Sequence, residues 1–403
     1  MSKHIAILNA PFHGHINPTL VVVAELVRRG YRVTYITTPD FTEKVSSVGA
    51  AVAHYTSTWP EGKSAPEKVS DDEMAGGPLK FLLENEAAVA GAAPHFVGDE
   101  PDLLFYDALM HHAGRALATK WSCPAVQSIP LFASNEHYSL NEALAGEFPS
   151  ITPEHPKLVE FFTRLTEFRE THNLATGSTG EILDGIEDLN LVFMARSYQP
   201  AGETFDERFV FVGPSLIDRS TEEHWEPPQN DNPTLLITLG SVWNARAEFY
   251  KKAIAAFADL DWNVVIATGP NVDPADLGPI PANFEVKQRI PSQLAVLEHG
   301  QVFVTHSGLG STMESMYYGT PLVAVPQAAE LDLVALRTEE LGLGLRIPGD
   351  EVTPEALREA VLKVAADQEM QERCRVMQKE VVEGGGAIRV VDEIEAYLAR
   401  VRG

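Results

Sequence analysis

The stretch from Gln301 to Glu330 restricts the possible folds of this chain more than any other. QVFVTHSGLGSTMESMYYGTPLVAVPQAAE reads as a strand, a glycine loop, a helix and a second strand. Val302 to Thr305 is a β-branched and aromatic run suited to a buried parallel strand, and Leu322 to Val325 is another. Between them Gly308 and Gly310 let the backbone approach a ligand closely, while Ser311 and Thr312 offer hydroxyls and caps at the start of a helix running to Tyr318. A helix start presents unpaired N–H groups and the positive end of its dipole, so a diphosphate is favoured there without a metal. His306 ends the first strand beside the place a phosphate would take, and Glu314, one turn into the helix, carries a carboxylate suited to two ribose hydroxyls. The same pattern fits an ordinary strand-turn-helix unit with a capping serine, and this stretch alone does not separate the two readings.

Strand and helix patterns alternate along the rest of the chain, which implies parallel sheets with right-handed crossovers. HIAILN is a strand, Pro18 to Arg29 a helix with Gly30 past its end, and YRVTYIT the next strand. Further strands are expected at Asp102 to Tyr106, Ala125 to Ser128 and Asn190 to Met194. The stretch from Pro130 to Gly185 is less regular, with aromatics and short helices, and is the expected place of a ligand pocket. Residues Ile217 to Pro233 are charged, proline-bearing and aperiodic, as a linker is, and the alternation then restarts with TLLITLGS, a helix from Ala245 to Ala258 and NVVIATG.

A chain of 403 residues also exceeds what one core usually supports. The expected organisation is two doubly wound α/β domains, 1–216 and 233–386, joined by 217–232 and followed by a last helix at 387–403. The net charge of -26 argues against nucleic acid and anionic membrane surfaces as partners. Cys123 and Cys374 form no disulfide framework, and no apolar run has the length of a membrane span, so a cytoplasmic location is expected.

The signature block resembles the donor-binding motif of glycosyltransferases that move a sugar from a uridine or thymidine diphosphate carrier onto small molecules. The resemblance extends through HIAILNAPFHGHINPTL, PDLLFYDALMHHAGRALA, ETFDERFVFVGPSL, LLITLGS and EGGGAIRVVDEIEAYL, nearly the whole chain. It is strongest to the macrolide-type enzymes of bacilli and streptomycetes. It implies the GT-B fold, two Rossmann-like domains facing across a cleft, with the C-terminal helix crossing back to the first domain. It also implies inverting transfer of a hexose from a UDP- or TDP-sugar to a hydroxyl of a hydrophobic acceptor such as a macrolide or flavonoid. No cofactor and no metal are expected.

Transfer of this kind needs a base for the acceptor hydroxyl and stabilisation for the departing diphosphate. A histidine suits the first task, its reference pKa being roughly 6.5. His13 and His15 compete in NAPFHGHINP, and the residues alone leave them near equal; the resemblance selects His15. Asp107, at the end of LLFY, matches the family's orienting aspartate and also suits a helix N-cap. His111 and His112 do not complete a zinc set with His13 and His15 at usual spacing. For the diphosphate the candidates are the amides near Gly310 to Thr312, His306, and the Gly240–Ser241 loop. An Asp-x-Asp pair of the metal-binding kind exists as Asp259 and Asp261, but at a helix-to-strand turn on the wrong edge of its sheet. Acceptor-side candidates are Phe12, Phe132 and Asn135.

Two departures from the family pattern stand out. Arg289, expected to pack on the uracil face, and Gln293 sit in RIPSQ, one residue longer than usual before the histidine. After the last signature strand, where the family has an acidic residue and a glutamine that bind sugar hydroxyls, this chain has Glu330 and Leu331, which leaves the sugar open. Two other functions share the architecture: a sugar-nucleotide 2-epimerase, and a non-catalytic nucleotide-sugar binder.

Overall fold

The computed structural model describes residues 3–59, 70–174, 183, 185–216, 225–240, 242 and 244–401. They gather into two compact units. In the first, β1 (His4–Leu8), β2 (Arg32–Thr37), β3 (Ala51–His54), β4 (Leu103–Asp107), β5 (Ala125–Ile129), β6 (Asn190–Val192) and β7 (Phe209–Phe211) form a parallel sheet ordered β3-β2-β1-β4-β5-β6-β7. The second contains β8 (Thr234–Thr238), β9 (Asn263–Ala267), β10 (Phe284–Lys287), β11 (Gly300–Thr305), β12 (Leu322–Ala324) and β13 (Gly344–Arg346), ordered β10-β9-β8-β11-β12-β13 and again parallel.

Central strands such as HIAIL, LLFYD and TLLIT are buried along their whole length. They are continuous apolar runs because helices cover both faces of each sheet. Alternation then sorts their side chains. Ile5, Ile7 and Phe105 pack on one face of the first sheet with Val23 and Leu26 from the helix His13–Arg28 and Val391 and Ile394 from the helix Gly386–Val401. Ala6, Leu8 and Tyr106 pack on the other face with residues of the helices Gly77–Ala92, His111–Trp121 and Pro156–Thr171. The last helix thus belongs to the first unit, where Arg29 also pairs with Asp392 and Glu395, each at 2.7 Å.

In each sheet the order reverses once, between β1 and β4 and between β8 and β11. Such switch points are where open α/β sheets bind ligands, at the carboxyl ends of the strands. Leu8 is level with Tyr106, which brings the turn after β1 beside Asp107; Thr238 is level with Thr305, which brings Gly240 beside His306.

Several local expectations need correction. The first helix begins at His13 rather than Pro18, so both candidate histidines are helical; Pro18 sits inside the helix, unable to donate to the Gly14 carbonyl. The signature helix begins at Leu309 with Gly308 as its N-cap and no side-chain cap, so Ser311 and Thr312 lie within its first turn instead of capping it. The stretch after Pro130 contains a sixteen-residue helix, Pro156–Thr171, held by buried Phe161, Leu165 and Phe168. Part of the expected linker packs on the second unit: Trp225 is buried and its Nε1 donates to Glu285 on β10 at 3.0 Å. Residues 217–224 lie outside the described residues, and among those described no helix is long and apolar enough to cross a membrane.

Candidate active site

The end of β1 turns through Asn9 to Phe12 into its helix and so presents His15 in the first helical turns. The His15 Nδ1–H donates to Asp107 Oδ2 at 2.7 Å, and Asp107 is fully buried while the imidazole keeps 12% exposure. A proton held on Nδ1 leaves the lone pair of the ring on Nε2. Asp107 Oδ1 accepts from the Leu109 amide at 2.8 Å, so the same carboxylate also caps the turn that follows β4. Asn9, a residue the sequence did not single out, donates from Nδ2 to the His15 carbonyl at 2.7 Å and to Thr19 Oγ1 at 3.1 Å. Thr19 in turn meets the Tyr35 hydroxyl at 2.7 Å, which ties the start of the helix to β2.

His13 has a different environment. It is exposed, its ring lies edge-on to Phe41, and Lys44 Nζ donates to its Nδ1 at 2.9 Å, so a cation occupies the place a carboxylate holds beside His15. His111 and His112 pack on each other with ring centroids 3.8 Å apart. His111 Nδ1–H donates to the Ala108 carbonyl at 3.0 Å, and burial pushes the His112 pKa well below its usual value. Phe12, the N-cap residue of the first helix, lies edge-on to His15 at 5.9 Å. Phe132 is buried and stacks on Tyr198. Asn135 is engaged by its own loop: Oδ1 accepts from the His137 and Tyr138 amides, and Nδ2 donates to Thr204 Oγ1 at 2.8 Å.

In the second unit His306 is the hub. A Cβ added to Gly240 would come within 2.4 Å of its ring, and one on Gly308 within 2.7 Å, so the imidazole lies against two backbones that only glycine leaves open. Burial lowers its pKa to about 4, which makes it a neutral hydrogen-bonding group near pH 7. Ser307 takes a left-handed φ of 66°, and the helix then starts at Leu309, with the Thr312 amide bonded to the Gly308 carbonyl at 2.9 Å. The amides of Leu309, Gly310 and Ser311 precede the first intrahelical donor, as an anion cradle requires.

Gln293 Nε2 donates to Glu314 Oε2 at 2.6 Å and reaches Ser311 Oγ at 3.4 Å, which joins three of the donor-side candidates. Thr312 is buried and its hydroxyl has no partner among the described residues. Arg289 and Glu330 are exposed, whereas Leu331 is 7% exposed in the first turn of the helix Ala329–Glu340. Ser241 lies outside the described residues. Asn244 was not foreseen: it is buried and donates to the Gly240 carbonyl at 2.8 Å, four residues after the loop it steadies. The Asp-x-Asp pair lies before β9, at the opposite edge of this sheet from His306, and Asp259 pairs with Arg358.

Residues 251–397 match the family described as Erythromycin biosynthesis protein CIII-like, C-terminal domain. The chain is 41% identical to the NDP-glycosyltransferase YjiC of Bacillus licheniformis, with 98% of each chain covered. It is 32% identical to the oleandomycin glycosyltransferase of Streptomyces antibioticus over 98% of this chain and 91% of that one. Among solved structures, the calicheamicin glycosyltransferase CalG4 superposes with a TM-score of 0.90 at 40% identity, covering 100% of both chains.

Proposed function

We propose, since this chain belongs to the bacterial family-one glycosyltransferases, that it is an inverting, metal-independent transferase moving a hexose from a UDP- or TDP-sugar to a hydroxyl of a hydrophobic small molecule. That it is a glycosyltransferase of GT-B fold follows from the full-length relatives and the two parallel sheets. The finer reading is carried by one observation, the 2.7 Å contact between His15 and the buried Asp107 at a switch point. In this reading His15 Nε2 removes the acceptor proton, Asp107 balances the imidazolium that forms, and the hydroxyl oxygen attacks the anomeric carbon as its bond to the diphosphate breaks. The leaving group's charge is met by the amides of Leu309 to Ser311 and by neutral His306, with Gly240 and Gly308 giving the room. Glu314, held by Gln293, takes the ribose, and Arg289 the uracil face.

Macrolide-like acceptors suit this reading because relatives are named for oleandomycin and for demethyllactenocin. Those relatives and YjiC are named as transferases, which favours transfer over epimerisation or mere binding. Incubation with mass-tagged UDP-glucose and TDP-glucose, with and without a macrolide and a flavonol, tests it. Glycosylated acceptor is expected; conversion of the donor without acceptor, or no turnover, would overturn it.

Metal independence has its own test. Activity is expected to survive excess EDTA, and Asp259→Asn to change turnover by less than about twofold, since Asp259 serves an exposed ion pair with Arg358. Complete loss on chelation, restored by magnesium or manganese, would sink the amide-cradle mechanism.

Position 331 bears on the sugar. A glutamine there would donate to and accept from sugar hydroxyls, which leucine does not. Leu331→Gln is therefore expected to raise the ratio of kcat/KM for UDP-glucose over a deoxysugar donor by about tenfold, the equivalent of one hydrogen bond of roughly 1.4 kcal/mol. Thermal unfolding is followed in parallel, because Leu331 is 7% exposed. A lowered Tm with an unchanged ratio would assign the side chain to the core.

A further inference from the structure

Residues 55–59, just after β3, lie along one face of the helix Gly77–Ala92. Residues 81, 84, 88 and 91 recur at helical spacing and so share that face. Gly91 lets the helix approach β3's end so closely that a Cβ there would come within 2.5 Å of Tyr55. Seven residues earlier Glu84, only 1% exposed, accepts from the Tyr55 hydroxyl at 2.7 Å, Ser57 Oγ at 3.0 Å, the Thr58 amide at 2.7 Å and Thr58 Oγ1 at 2.8 Å. A buried carboxylate with four donors fixes the backbone that supplies them. One residue further, the Trp59 ring meets Phe81 at 5.2 Å and also lies edge-on to Phe12 at 5.4 Å. Phe12 is the residue that lies against His15.

A hydrogen-bonded carboxylate therefore sets the position of an indole one ring away from the proposed base. The indole N–H is enclosed and has no partner among the described residues. A shielded donor without an acceptor is unfavourable by about 1–3 kcal/mol, so a bound molecule that brings an acceptor to it gains that much in return.

We propose that Trp59 is a specificity-determining residue of the acceptor site, its ring forming an apolar wall with Phe12 and its Nε1–H donating to a carbonyl oxygen of a flat, aromatic or polyketide-like acceptor. Glu84 is its positioning residue. The assignment rests on His15 being the base, since that places the acceptor next to Phe12.

The test compares kcat/KM for a flavonol and for the flavan-3-ol that lacks its ring carbonyl. Trp59→Phe keeps the wall and removes the N–H, so the flavonol-to-flavan-3-ol ratio is expected to fall about tenfold, the value of one hydrogen bond to a bound carbonyl. Trp59→His, which restores a ring N–H, is expected to recover most of that ratio. Glu84→Gln is expected to raise KM for both acceptors by loosening the wall. An unchanged ratio in Trp59→Phe, with His15→Ala still inactive, overturns Trp59 alone. Loss of the cooperative thermal transition in Trp59→Phe also overturns it, because the ring would then be core. Failure of the wild-type protein to glycosylate either flavonoid overturns both this assignment and the flavonoid part of the acceptor class.

Discussion

Replacing His15 by alanine is expected to lower turnover by roughly 10²–10⁴-fold while binding of a nucleotide-sugar donor persists, the usual range for removing a general base. The residues proposed to bind the donor lie in the other unit, so calorimetric titration of UDP-glucose separates the two effects. His13→Ala is expected to cost far less, because His13 is exposed and its Nδ1 receives a hydrogen bond from Lys44, where the Nδ1–H of His15 donates to Asp107. Asp107→Asn should fall between them in its chemistry but not in its structure: the amide keeps an acceptor for the Leu109 N–H and loses the charge that balances the imidazolium. Equal losses in His13→Ala and His15→Ala, or a larger loss in His13→Ala, would remove the base assignment. A drop in donor affinity parallel to the drop in turnover would show that His15→Ala had damaged the fold.

Without the family resemblance the local residues leave the two histidines level, and the reason is physical. What distinguishes them is a partner ninety-two positions away from His15, brought level with it by the β1–β4 pairing, and no local pattern encodes a contact of that separation. The same holds for Glu84, whose donors come from a different element, and for Asn9, whose target is a backbone carbonyl. The strands divide along a similar line. Central strands were legible because burial on both faces demands a continuous apolar run, as in HIAIL and TLLIT. The four outer strands β3, β7, β10 and β13 are short and partly exposed, so AVAH or FEVK has no such run to betray it. Helix starts misled for a third reason. Prolines and hydroxyl residues are good starting signals, yet here backbone at Phe12 and Gly308 begins both site helices without a side-chain cap. Uncapped N–H groups at a ligand site are what an anion cradle needs, so the missing cap after Gly308 is consistent with the donor role proposed for it.

Gly240→Ala is expected to weaken nucleotide-sugar binding by about 10²-fold, and Gly308→Ala by about tenfold, the difference reflecting backbone strain added to the same steric conflict. Both new methyl groups press on His306, at 2.4 Å from Gly240 and 2.7 Å from Gly308. Only Gly240 has a left-handed φ, 73°, whereas Gly308 sits at -61°, where alanine is at ease. Gly308→Ala therefore reads the cost of moving the imidazole alone, and Gly240→Ala reads that cost plus the strain of a Cβ at positive φ, about 1–2 kcal/mol. Relief by a second substitution separates the sources. In the background of His306→Ala the ring is gone, so adding Gly308→Ala should change donor affinity little, and adding Gly240→Ala should retain only the strain. Neutral His306 loses an N–H donor in that background rather than a charge, so its own effect should be nearly independent of pH above its pKa of about 4. Additive losses in the double variants would mean that the glycines are needed for reasons other than His306. Donor titrations of the single and double variants against the wild type decide between these outcomes, with thermal unfolding run on the same samples to show that the second unit remains folded.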